Sequence, residues 1–159
     1  MSMSDIEEFR GPHRFLSNFW LCPVEVGGLK FPSSEHAYQA VKTLDSAQRA
    51  WFTDPDLKAS EAKRAGQRVT LRPGWEQTKK RAMLRVVLAK FIQNPDLAEL
   101  LEATGSAQLT EGNTWHDWYW GQCRSYRDGP HPRGCPGFGS GSNYLGRILM
   151  AVRDVMRVD

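Results

Sequence analysis

The residues from Gly74 to Gln93 constrain this chain most, because they read as one long amphipathic helix. Trp75, Ala82, Val86 and Ala89 recur at helical spacing, and Met83, Val87 and Phe91 widen the stripe. Such a face has to be buried, so the rest of the chain must supply elements that cover it. Asn94-Pro95 ends the run, and Pro95 opens a second helix carrying Leu97, Leu100 and Leu101 as far as Gly105. Upstream, PVEVGGLKF reads as a hairpin, with Gly27-Gly28 allowing the positive φ angles of a tight turn. Pro32, Ser33 and Ser34 then offer a cap for a helix from about Ser34 to Leu44. Shorter helical pieces are expected around Ala47–Phe52 and Leu57–Gln67, and a short extended piece near Gln108–Glu111. Residues Gln122–Ser142, rich in Gly, Pro and Ser, read as an irregular loop. Asn143 sits where a cap belongs, before a last helix with the stripe Leu145, Ile148, Leu149, Val152 and Met156. The expected fold is mainly α (α+β): one helical domain over residues 1–159, core about 9–156, with a small antiparallel hairpin near the N-terminus.

Composition narrows the function classes. A chain of 159 residues, 40% hydrophobic and 25% charged, can bury a core without disulfide staples. No stretch approaches the roughly 18 consecutive apolar residues of a membrane span, and the polar N-terminus has no signal-peptide core, so a soluble cytoplasmic protein with no membrane partner is expected. The net charge of +3, from 21 basic and 18 acidic residues interleaved along the chain, is too small for a nucleic-acid coat. Cys22, Cys123 and Cys135 form no CxxC pair, which favours reduced thiols. His116, Cys123, His131 and Cys135 fall within one stretch, but their spacing matches no compact zinc knuckle; they read as scattered loop residues, with no metal. Walker, HExxH, Rossmann and nucleophile-elbow motifs are absent, so no cofactor is expected.

Two groups of residues carry chemistry. On the helix after Ser34, Ala37, Ala40, Val41 and Leu44 form an apolar stripe, while Glu35, Tyr38, Gln39 and Lys42 share the same spacing on another face. That second face fits a solvated surface with Glu35 near the helix start. It equally fits the wall of a site, since an aromatic among hydrophilic groups suggests partial burial and desolvation favours a proton-carrying carboxyl. A buried Lys42 would be a candidate amine nucleophile. The second group is WHDWYWG, where Asp117 stands among Trp115, Trp118 and Trp120 and Gly121 lets the backbone turn. Ring faces with a few polar groups suit a flat heterocycle. At least one of the six tryptophans is expected to fill the core instead.

Ordered blocks along nearly the whole chain resemble the YbiA/NADAR family: FLSNFW from Phe15, PSSEHAYQAVK from Pro32, RPGWEQTK from Arg72, AKF from Ala89, TG from Thr104, YWG from Tyr119 and NYLGRILMAVR from Asn143. Each block is weak alone; the ordered set is specific. The resemblance implies metal-independent N-glycoside hydrolysis. Members cleave ribose 5-phosphate from the amine of early riboflavin-pathway intermediates, and others resemble hydrolases that remove ADP-ribose from guanine in nucleic acid. The family's acidic and aromatic site positions correspond to Glu35, Trp75, Asp117 and Trp120, and further motif positions to Asn18, Phe19, Lys42, Lys79, Gly121 and Asn143. The chain departs from the family at Gln122–Ser142, longer than the usual Gly-rich link. Its Arg124, Arg127, His131 and Arg133 would contact a phosphate, cover the site, or belong to a surface loop.

The expected assignment makes Glu35 the acid/base, Asp117 the group that orients substrate or steadies a cationic sugar, and Lys42 the nucleophile of a ring-opened alternative. Tyr38, Trp75 and Trp120 would hold the base, and Lys79 or Arg10 a phosphate. The expected partner is a small phosphorylated nucleotide-like substrate, or else ADP-ribosylated nucleic acid. A module that binds ADP-ribose or NAD without cleaving it, and a scaffold with a tryptophan-rich core, are the non-enzymatic alternatives.

Overall fold

A computed structural model of the chain describes residues 3–157. They divide into two compact units, one of residues 18–98 and one of residues 3–17 with 99–157.

The Asn18–Ala98 unit begins with the expected hairpin, β1 (Leu21–Val26) antiparallel to β2 (Leu29–Ser33), with Val24 opposite Phe31 and Val26 opposite Leu29. Gly27 and Gly28 turn the chain at φ 61° and 79°, a conformation that penalises any side chain. Cys22, Val24 and Val26 alternate inward along β1. Ser33 caps α1 (Ser34–Val41), its Oγ accepting from the His36 N–H. α2 (Ser46–Trp51), α3 (Ala59–Ala65) and α4 (Trp75–Gln93) follow. Asp45 Oδ1 caps α2 through the Gln48 N–H, and Glu61 accepts from the Lys58 N–H at the start of α3. The C-terminus of α4 is tied to the hairpin. The Gln93 side chain accepts from Glu25 N (2.7 Å) and donates to Glu25 O (2.9 Å), and Asn94 Nδ2 donates to Pro23 O (2.9 Å).

α1 packs against β1, β2, α2, α3 and α4 at once. All eight of its residues are buried, so the solvated-face reading does not hold. The helix is also shorter than expected. Its last turn tightens into i→i−3 bonds at Lys42 and Thr43, and Thr43 Oγ1 then accepts from the Asp45 N–H. Leu44 therefore falls outside the apolar stripe and is 64% exposed. Buried Ala37, Ala40 and Val41 form the stripe by themselves.

In the other unit, Ile6 pairs with the extended segment at Leu109 through Ile6 N to Gln108 O and Thr110 N to Ile6 O, both 2.8 Å. A 3-10 helix spans Gly11–Leu16. α5 (Pro95–Ala103) enters this unit at Glu99. Two short strands, β3 (Gly112–Asn113) and β4 (Gln122–Cys123), pair in parallel. α6 (Tyr144–Met156) buries Leu145, Leu149 and Val152. Arg153 on α6 is buried too, donating to Thr104 Oγ1 (2.8 Å) and Ala107 O (2.9 Å). Among the described residues no helix is long and apolar enough to cross a membrane.

Candidate active site

Around α1, the sequence places polar side chains where a helix enclosed on every side would ordinarily carry apolar ones. His36 has a structural explanation. Its Nε2–H donates to Leu57 O (2.7 Å), which leaves Nδ1 to accept from the Ser33 hydroxyl (2.7 Å). Burial pulls its pKa below the ordinary histidine value, so it is a neutral core histidine.

Glu35 and Gln39 are different. Glu35 is 6% exposed, and its N–H donates to Asn18 O (2.9 Å), which fixes the buried Asn18 beside the first turn of α1. Asn18 Nδ2 lies 3.3 Å from Met83 Sδ. One turn along, Gln39 Nε2 donates to Glu35 Oε1 at 2.6 Å, a charge-assisted bond that orients the carboxylate. The Gln39 amide is itself wedged against Gly66 just after α3: a Cβ there would stand 1.8 Å from Gln39 Oε1.

Rings and amines complete this group. Tyr38 and the buried Trp75 lie 5.5 Å apart between ring centroids, tilted by 50°. Lys42 Nζ is 5.5 Å from the Tyr38 ring centroid. Burial lowers the Lys42 pKa from the ordinary lysine value; Lys63 and Lys79 push the same way, while Glu35 and Glu76 oppose them. Lys79, half-buried, pairs with Glu76 at 2.6 Å, and Lys63 Nζ is 6.0 Å from the centroid of the exposed Phe19 ring. Of the seven candidates in this unit, Glu35, Tyr38, Lys42 and Trp75 are joined through α1 contacts, and Asn18 is tied to the first turn of α1 through its backbone carbonyl. Lys63 is absent from the sequence-level candidates, and Gln39 is present there only as a member of the Glu35 face. The i,i+4 spacing of Gln39 from Glu35 was visible, but only the packing of α3 shows that the amide is trapped.

In the second unit Asp117 has a local task. Its Oδ1 accepts from the N–H groups of Trp120 (2.9 Å) and Tyr119 (3.2 Å), holding the turn that carries the indole. Asn113 clamps the same residue, accepting from Asp117 N (2.9 Å) and donating to Asp117 O (2.8 Å). Trp120 and Tyr119 meet edge-to-face at 4.8 Å, and Tyr144 stands 4.8 Å beyond Tyr119. Gly121 is required by close approach, since a Cβ there would lie 2.1 Å from Glu111 O. Asn143 occupies the cap position of α6 at φ 50°, but its side chain does not cap the helix. It bridges the preceding segment instead, donating to Leu109 O (2.9 Å) and accepting from Glu111 N (3.0 Å). Arg10 is largely exposed, 3.7 Å from Glu8. Of the six tryptophans only Trp75 is buried.

The loop after Gly121 is built rather than loose. Cys123 N donates to Ser140 O (3.0 Å) and Gly139 N to Cys123 O (2.7 Å), while Arg124 and Arg127 stack on Phe138. This fold overturns the reading of His116, Cys123, His131 and Cys135 as scattered. Their ligand atoms all lie within 4.8 Å of one another, because the loop returns onto β4.

A mainly helical α+β chain that buries a hydrogen-bonded carboxylate on the same helix as one of two tilted rings, next to a desolvated amine, carries groups of the kind a hydrolase uses. The chain belongs to the NADAR family, whose domain matches residues 6–157. It is 36% identical over 144 residues to N-glycosidase YbiA of Escherichia coli strain K12, covering 90% of this chain and 81% of that protein. An N-glycosidase of Nostoc punctiforme is 31% identical over 92% of this chain and 87% of its own. A riboflavin biosynthesis protein of Vibrio vulnificus is 37% identical over 91% of this chain but 36% of its own. The NMR structure of E. coli YbiA matches with a TM-score of 0.77 at 33% identity, covering 99% of this chain and 88% of that one.

Proposed function

We propose that this chain is an N-glycosidase that hydrolyses the bond between a ribose and an amine of a pyrimidine or guanine base, and that Glu35 moves the proton. Family membership and the N-glycosidase relatives support the reaction class. The observation that carries the residue assignment is the buried Glu35 carboxylate held by Gln39 at 2.6 Å.

Cleaving a ribosyl–amine bond needs a proton on the departing nitrogen, stabilisation of positive charge at the anomeric carbon, and a directed water. The Glu35 carboxylate takes a proton from the attacking water and passes it to the departing nitrogen, contributing roughly the 10²–10⁴-fold typical of a positioned acid/base. Tyr38 and Trp75 offer ring faces to the base, Asn18 fixes the first turn of α1, and Lys79 faces the phosphate, with Lys63 standing by Phe19. In the other unit Asp117 holds the turn that carries Trp120, with Gly121 and Asn143 fixing the backbone around it, and Arg10 pairs with Glu8. A small phosphorylated metabolite is the substrate, and the three free cysteines fit a reducing, cytoplasmic setting.

Lys42 supports a second route. Its depressed pKa leaves more of the amine unprotonated. After the glycosylamine opens, that amine would attack C1′ and form an imine as the base amine leaves with a proton from Glu35; water then releases the aldehyde sugar. Borohydride should trap a ribosyl adduct on Lys42 during turnover, and finding none removes this route.

The test is incubation of the full chain with a ribosylaminopyrimidine 5′-phosphate and, separately, with DNA carrying ADP-ribosyl-guanine. Release of ribose 5-phosphate from the first supports the proposal. Release of ADP-ribose from DNA alone moves the substrate to nucleic acid. Binding of ADP-ribose with no product from either makes the chain a non-catalytic module.

A further inference from the structure

We propose that His116, Cys123, His131 and Cys135 form a structural zinc site that nothing in the N-glycosidase reading requires. The four ligand atoms come from three places in one unit: the residue before Asp117, strand β4, and the loop apex at 131–135. Cys123 Sγ lies 3.3 Å from His116 Nδ1 and 3.6 Å from His131 Nδ1, and Cys135 Sγ lies 3.3 Å from His131 Nδ1. Zinc bonded tetrahedrally to sulfur at about 2.3 Å and nitrogen at about 2.0–2.1 Å sets its ligands about 3.3–3.8 Å apart. The three contacts fall in that range, and every other pair is within 4.8 Å.

Protonation supports the same reading. His131 Nε2 is 3.0 Å from Tyr126 O, a carbonyl that can only accept, so Nε2 carries the hydrogen and Nδ1 turns its lone pair toward both sulfurs. Two separate thiol–imidazole hydrogen bonds would explain two of the distances but not the convergence of all four atoms. His116 adopts φ 63°, a conformation rare for a side chain-bearing residue, and in it Nδ1 reaches Cys123. All three cysteines are free, so no disulfide competes.

Two neutral imidazoles and two thiolates fill the tetrahedron and leave no open position, which is the pattern of a structural metal. Binding releases the two thiol protons to solvent. The closed loop contains Asp117 to Gln122, so the metal would pin the turn that presents Trp120 to a Gly/Pro-rich loop that has no regular element beyond β4.

The full chain, reduced and dialysed after incubation with zinc, should retain about one zinc per molecule by atomic absorption. Cobalt in place of zinc should give the intense visible bands of a tetrahedral site and a near-ultraviolet thiolate charge-transfer band. Cys135→Ser should abolish the charge-transfer intensity of one thiolate and lose the zinc on dialysis. Cys22→Ser, which alters the thiol outside the cluster, should keep both. Failure of the wild-type chain to retain zinc, or a weak cobalt spectrum without thiolate bands, would overturn the proposal even if Cys135→Ser does not fold.

Discussion

Gly66→Ala should disturb Glu35 without touching it. Gly66 has φ −62° and ψ −16°, ordinary right-handed backbone, so alanine strains nothing locally. In such a conformation Gly→Ala usually stabilises by about 0.4–1 kcal/mol through the unfolded chain. Here the new Cβ would stand 1.8 Å from Gln39 Oε1, 2.6 Å from Cδ and 3.0 Å from Cγ. The Gln39 side chain must move, and its 2.6 Å bond to Glu35 is lost with it. A hydrogen bond to a charged group contributes about 1.5–3 kcal/mol, so the net expectation is destabilisation by roughly 0.5–2.6 kcal/mol. Urea denaturation measures it, in wild type and in a Gln39→Ala background. With the amide gone the methyl no longer meets it, and Gly66→Ala should become stabilising by about 0.4–1 kcal/mol. The same destabilisation in both backgrounds would refute the reasoning, because the strain would then lie in α3 and not in the Gln39–Glu35 pair.

Lys90, buried on α4, has its pKa lowered by desolvation from 10.5 to about 8, with Cys22 opposing. Between those values the unfolded chain holds a proton that the folded chain lacks, so this group makes stability rise with pH across the window, by on the order of 3 kcal/mol. Lys90→Met should flatten that rise in thermal melts taken from pH 7.5 to 10.5, and an unchanged slope would contradict the burial argument. Asn143→Ala removes a donor from Leu109 O and an acceptor from Glu111 N, costing about 1–3 kcal/mol for each group left unpaired, by chemical denaturation. Asn143→Gly, free of strain at φ 50°, should lose as much if the side-chain bonds matter and little if only the backbone does.

Local rules made much of the framework legible. The Gly27-Gly28 turn, the Ser33 cap, the long α4 stripe and the Asn94-Pro95 break each act within a few residues, so the chain states them openly. Around the candidate site the chain was less direct. The burial of α1 on every face depends on five elements packing against it, and no periodicity within eight residues records that. Leu44 looked like a fourth stripe residue because helical spacing cannot show where a last turn tightens. β3 and β4 have two residues each, too few for any strand pattern, and pair across the eight intervening residues 114–121. That pairing, with the loop returning onto Cys123, gathers the two histidines and two cysteines whose H-x6-C-x7-H-x3-C spacing resembles no compact knuckle.

The central claim is that the buried carboxylate on α1 carries the proton in glycosidic cleavage. Glu35→Gln tests it most directly, because glutamine keeps an oxygen for the Gln39 N–H and so preserves the packing while removing the acid. With an unchanged circular-dichroism spectrum and retained substrate affinity, turnover should fall by about 10²–10⁴-fold. Hydrolysis at a rate near that of the wild-type chain would contradict the account.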